Sequence, residues 1–203
     1  MSISPLTSDG ARADVSTVRA PSFASETFAD HLAAAVAGDE RALERLITPL
    51  LARLDGYLRS QARDDAQDLR SEVLLAIVHR LPRFQGDETQ FRSWVFTIAH
   101  HRLVDHRRRF RRTEPLDEVN EERSAGTCPS TEATALARIH EAELRATLDV
   151  LPEAQRRVLL LRTVGDLSLE QTAEVVGRSV GAVKLLQHRA VRTLREHLTG
   201  KDR

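Results

Sequence analysis

The chain has 203 residues, 41% hydrophobic, 30% charged and only 4% aromatic, a profile of soluble helical modules rather than a sandwich, whose strands want β-branched and aromatic side chains. Its apolar runs, such as Val158 to Leu161, are too short to cross a bilayer, it has no apolar leader, and the single cysteine, Cys128, excludes an internal disulfide or a cysteine-rich zinc site, so no membrane insertion and a cytoplasmic setting are expected. Thirty basic residues balance thirty acidic ones, which taken alone argues against a nucleic-acid binder.

The charges are segregated, however, and fields act within roughly 8–10 Å. Arg102, Arg107, Arg108, Arg109, Arg111 and Arg112 face one acid, Asp105, whereas residues 113–137 hold Glu114, Asp117, Glu118, Glu121, Glu122 and Glu132 against Arg123 alone.

In chain order, residues 1–24 mix Ser, Thr, Ala, Gly and Pro without periodicity and read as a disordered tail. Ser25 is the candidate N-cap of a first helix running to Gly38. Asp39 caps a second, in which Ala42, Leu43, Leu46, Ile47, Leu50, Leu51, Leu54 and Leu58 keep helical spacing and Pro49 predicts a kink or interruption. A third helix runs from about Asp65 to Arg80 and stops at Pro82. Its inner face is Leu69, Val73, Ala76 and Ile77, closed by Arg80 or Leu81. Residues 84–89 read as a loop. A fourth helix begins near Gln90 and carries Phe91, Trp94, Val95, Ile98, Leu103 and Val104 into the arginine run. The acidic stretch 113–137, with Pro115, Gly126 and Pro129, reads as a flexible linker.

A helix resumes near Ala135, and Pro152 suits the first turn of the next, Glu153 to Val164. Gly165-Asp166 breaks it. Ser168 and Gln171 form a capping-box pair for a short helix, Leu169 to Val176, stopped by Gly177. Ser179 caps a last helix ending near Leu198. No strand pattern and no repeat is visible. The expected fold is all-α: two small helical modules, 25–112 and 138–203, joined by the linker.

Two helices meeting through Gly177-Arg178-Ser179 make a helix-turn-helix layout, whose second helix enters the DNA major groove. Thr172, Ala173, Val176, Val180, Val183, Leu186, Ala190 and Leu194 point inward. Lys184, Gln187 or His188, Arg189, Arg192 and Arg195 point outward, cations for phosphate and Gln or His for a base edge. In the first module, Asp65, Asp68 and Glu72 share one helix face. Adjacent His100 and His101 point about 100° apart on a helix, so with His106 they make no metal site. Neither a Ser/His/Asp set nor a P-loop nor a metal motif is present, so no catalysis, metal or cofactor is expected.

Both modules resemble a known family. Leu151-Pro152-Glu153-Ala154-Gln155-Arg156-Arg157, followed by Leu167-Ser168-Leu169-Glu170-Gln171-Thr172-Ala173 and Ser179-Val180-Gly181-Ala182-Val183-Lys184, resembles region 4 of bacterial RNA polymerase sigma factors of the extracytoplasmic-function (ECF) subfamily of the sigma-70 family. Asp64-Asp65-Ala66-Gln67-Asp68-Leu69-Arg70-Ser71-Glu72 resembles their region 2.2, Phe84-Gln85-Gly86-Asp87 with Phe91 and Trp94 their base-capture loop, and Ile98 to Arg109 their regions 2.3 and 2.4.

The resemblance implies a factor that binds core polymerase through its β and β′ subunits and directs initiation at promoter DNA. It places Asp68, Ser71 and Glu72 on polymerase. It places Phe84, Gln85, Gly86, Asp87, Arg102, Arg107, Arg108 and Arg109 on the −10 element, and Ser179, Lys184, Gln187, His188, Arg189 and Arg192 on the −35 element. An anti-sigma factor is a further family expectation. The family's usual Ser-Arg-Leu is here Leu185-Leu186-Gln187, where −35 specificity is expected to differ. Two other readings stay open: a helix-turn-helix regulator acting without polymerase, and a helical protein-interaction module.

Overall fold

The structure is a computed structural model describing residues 27–113 and 142–201. The expected tail, nearly all of the linker, Ser25, Cys128 and the helix start near Ala135 lie outside the described residues. Those described contain helices and turns and no strand.

Helix α1 (Phe28–Val36) starts at Thr27, whose hydroxyl accepts the Asp30 N–H while the Asp30 carboxylate accepts the Thr27 N–H at 2.9 Å. Asp39 caps α2 (Glu40–Ala62), accepting the Arg41 N–H at 2.9 Å. The expected interruption at Pro49 does not occur; α2 runs through it. Proline removes one helix donor, but Leu46, Ile47, Leu54 and Leu58 on the same helix are buried, and that packing holds the segment helical.

Helix α3 (Ala66–Arg80) buries Leu69, Val73, Ala76 and Ile77. Leu81 rather than Arg80 closes the stripe, inside a 3₁₀ turn that contains Pro82. Helix α4 (Glu88–Thr113) begins two residues before Gln90. The reason is local: the Gln90 N–H donates to Asp87 Oδ1 at 2.8 Å and the Asp87 N–H to Gln90 Oε1 at 2.9 Å, a reciprocal cap.

Residues 142–149 are helical (α5). Helix α6 (Glu153–Thr163) follows Pro152, and the chain turns at Asp166 with φ 53°. Helix α7 (Leu169–Val176) opens on the expected Ser168–Gln171 box and closes on Gly177 with φ 64°. Helix α8 (Val180–Lys201) runs past the expected end at Leu198 and starts with the Ala182 N–H donating to Ser179 Oγ at 3.2 Å.

The two modules do not stand apart. One apolar cluster runs from Leu54, Tyr57, Phe91 and Phe96 in the first to Leu148, Leu151, Leu160, Leu161, Leu167 and Val175 in the second. A smaller cluster of Val158, Ala173 and Val183, with Leu169, Val176 and Leu186 beside it, locks α6, α7 and α8 into the helix-turn-helix. Val180, expected inward, is 39% exposed, while Val175 is buried in the shared cluster.

Candidate nucleic-acid and polymerase interface

The turn between α3 and α4 sits on an aromatic floor. Phe84 meets Phe91 edge to face at 5.3 Å and Trp94 at a tilt at 5.0 Å, and Phe28 supports Phe91 at 5.5 Å. Phe91 is buried; Phe84 and Trp94 are half-buried; Gln85, Gly86 and Asp87 above them are exposed. An unstacked base needs a π-face and hydrogen-bonding groups beside it, and this turn offers both. Asp87 has a second task, since its carboxylate caps α4.

Along α3, Asp68 and Ser71 are exposed and Glu72 half-buried. The Ser71 hydroxyl donates back to the Gln67 carbonyl at 3.1 Å. Glu72 reaches α4, with its Oε2 3.6 Å from Arg109 and 4.0 Å from Arg102. Leu75 and Val78, 61% and 48% exposed, extend the same helix face. Their place in the helical period could have flagged them, since they fall off the Val73–Ile77 stripe. Arg108 and Arg109 are exposed and Arg102 is half-buried.

On α8, Lys184, His188, Arg189 and Arg192 are exposed, opposite the buried Val183 and Ala190. Of Gln187 and His188, His188 is the more exposed. Gln187 is half-buried, its Oε1 accepting from Arg162 Nε at 3.4 Å.

Arg107 is placed differently from its neighbours. It points into the seam between modules and donates to Glu153 of α6, to Gln61 Oε1 and to the Gln61 carbonyl. Glu153 also accepts from Arg157. Asp166 pairs with Arg53 and with Arg92, each at 3.2 Å, and Gln171 Nε2 donates to the Thr89 carbonyl at 3.4 Å. Beneath this seam His100 is buried, its Nδ1 3.3 Å from the Tyr57 hydroxyl.

Burial, helped by the nearby Arg157, His101 and Arg107, lowers the His100 pKa from 6.5 to about 4. The unfolded chain therefore takes up this proton first. Stability held above pH 6.5 is lost as pH falls toward 4, by about 2 kcal/mol between pH 6.5 and 5. Urea unfolding across that window checks it: His100→Gln should lose measurably less stability than the native chain, and an equal loss would contradict the assignment.

A helical module with an exposed turn over an aromatic floor, docked to a helix-turn-helix, is the architecture of a bacterial transcription initiation factor. Residues 41–113 match the family Sigma-70 region 2, and residues 141–194 match Sigma-70, region 4. The chain belongs to the ECF RNA polymerase sigma factors. It is 34% identical over 178 residues to the ECF RNA polymerase sigma factor SigD of Mycobacterium tuberculosis, covering 82% of each chain. It is 36% identical over 176 residues to ShbA of Streptomyces griseus, covering 79% of this chain and 90% of that one. Among solved structures, CnrH in complex with the cytosolic domain of CnrY aligns with TM-score 0.62 at 26% identity, over 84% of this chain and 96% of that one. The protein is thus not an enzyme. It binds core RNA polymerase and promoter DNA and directs initiation.

Proposed function

We propose the following division of labour. Residues 25–112 form the polymerase and −10 module, and residues 138–203 the −35 module, joined by the acidic segment 113–137 in the cytoplasm. Asp68, Ser71 and Glu72, with Leu75 and Val78 beside them, grip polymerase. Phe84, Gln85, Gly86 and Asp87 take a base extruded from the −10 element, and Arg102, Arg108 and Arg109 neutralise phosphate around it. Arg107 joins them only when the module seam opens. Ser179, Lys184, His188, Arg189 and Arg192 meet the −35 duplex; Gln187 acts from behind, held by Arg162.

The observation that carries this reading is the exposed turn of Gln85, Gly86 and Asp87 over the Phe84–Phe91–Trp94 floor. A base lifted from a duplex costs a few kcal/mol, which stacking and edge contacts must offset. Regulation by an anti-sigma factor is part of the proposal, supported by the likeness to CnrH, solved with the cytosolic domain of CnrY.

The test is run-off transcription from genomic fragments. Specific transcripts are expected only with core polymerase and this chain together, falling at least tenfold for Asp68→Ala combined with Glu72→Ala. Specific duplex binding by the chain alone, indifferent to those two changes, would support a regulator acting without polymerase instead.

A further inference from the structure

Leu185, Leu186 and Gln187 follow one another on α8 and have three different fates. Leu186 packs into the small cluster with Val158, Ala173 and Val183. Gln187 turns toward Arg162 of α6. Leu185 does neither: it is 50% exposed. At about 100° per residue, Leu185 lies about 200° round the helix from Val183, which is fully buried. It therefore stands near the middle of the outward face, with exposed Lys184, His188, Arg189 and Arg192 around it.

One turn earlier on the same face is Gly181. A Cβ built there would meet nothing within 4 Å, so nothing packed within the described residues requires a glycine. Glycine is a poor helix residue, by up to about 1 kcal/mol against alanine. A bare backbone at this point lets something outside the chain approach α8 closely. Val180, 39% exposed, lies beside it.

An apolar centre framed by cations fits a polyanion that carries apolar bumps. The major groove of DNA has that character wherever a thymine presents its 5-methyl group between phosphate rows. A protein partner would instead need acids placed against Lys184, Arg189 and Arg192 around an apolar pocket.

We propose that Leu185 is a specificity-determining residue of the −35 contact, reading thymine methyl groups in the major groove, with Gly181 providing the close approach. This rests on the reading of α8 as the helix that meets the −35 duplex. The assignment makes Leu185 select A·T pairs through shape and methyl burial, while the surrounding cations hold the register through phosphate.

The experiment uses the holoenzyme, core polymerase plus the full chain. Preferred −35 duplexes are first selected from a randomised library, and each thymine is then replaced singly by deoxyuridine, which removes the methyl group alone. At one or two positions the native holoenzyme should bind about fourfold more weakly, the value of burying one methyl-sized group. Leu185→Ser should bind thymine and uracil duplexes equally there, with unchanged affinity for core polymerase. Equal binding of both duplexes by the native protein overturns the proposal, as does a Leu185→Ser variant that keeps the discrimination or that loses core polymerase affinity. Lys184→Ala with Arg189→Ala separates the underlying reading. If that pair leaves all −35 binding intact, α8 is not the duplex helix. If it weakens binding to every duplex while thymine and uracil remain equivalent, only the role of Leu185 fails.

Discussion

Gly86→Val is expected to lower open-complex formation at least tenfold while leaving core polymerase binding within about twofold of the native protein. Gly86 has φ +152°, a backbone region that side chains rarely enter. A Cβ there would lie 2.6 Å from Gln90 Oε1, 3.0 Å from Gln90 Cβ and 3.1 Å from Phe84 Cζ. The valine must therefore dislodge Gln90 from the Asp87 N–H, dissolve the reciprocal cap of α4, and push the turn off its aromatic floor. A lost cap costs about 1 kcal/mol and the backbone strain roughly 1–3 kcal/mol, and each 1.36 kcal/mol of activation is about tenfold in rate. The α3 face proposed to grip polymerase lies outside this local damage. Permanganate reactivity of unpaired promoter thymines reports the open complex, and competition for core polymerase reports binding. Gln90→Ala removes the half of the cap that the Gln90 side chain makes, without the clash, and should produce a smaller defect. Equal loss of both readouts in Gly86→Val would sink the assignment of this turn to base capture.

What the sequence made legible follows the range of the interactions. Caps are local, so Asp39 and the Ser168–Gln171 pair are readable from residue type and spacing, and both appear where expected. The Asp87–Gln90 pair obeys the same rule, and the helix it caps takes in Glu88 and Thr89, which were expected in the loop. Pro49 does not interrupt α2 because its penalty is local while the burial that overrides it is tertiary. Val180 keeps the inward helical period but, in the first turn of α8, is left 39% exposed. Adjacent positions such as Gln187 and His188 both sit near a helix-face boundary, and only the partner helix decides between them. The loop and the α8 face were legible because their chemistry is concentrated in short motifs. Arg107 was not. Its partners are Gln61 and Glu153, each 46 residues away, and within an arginine run nothing local distinguishes the one that turns inward.

Glu153→Gln combined with Asp166→Asn is expected to separate the two modules and to raise promoter-specific transcription at limiting protein several-fold. These two carboxylates hold three ion pairs across the seam, Arg107 at Glu153 and Arg53 and Arg92 at Asp166, while Arg157 pairs with Glu153 within α6. Arg107 is only 21% exposed there, against 63% for Arg109, so while the seam is closed it cannot reach phosphate. The replacements keep shape and remove charge, and asparagine tolerates the φ of 53° at position 166. Partly exposed pairs are worth about 0–1 kcal/mol each. Losing the three that cross the seam gives about 1.5 kcal/mol, or roughly tenfold in the ratio of separated to docked modules. The shared apolar cluster remains, so the change is a shift in population rather than unfolding. Spin labels at the exposed positions of Arg80 and Arg178, with Cys128 replaced by serine, should give one narrow distance distribution in the native chain and a broader one in the double variant. Salt should move the native chain the same way, because ion pairs at a partly wet seam are screened within about a Debye length. An unchanged distance distribution would place the docking energy in the apolar contacts alone. A separation with no gain in transcription would show that Arg107 is structural in both states.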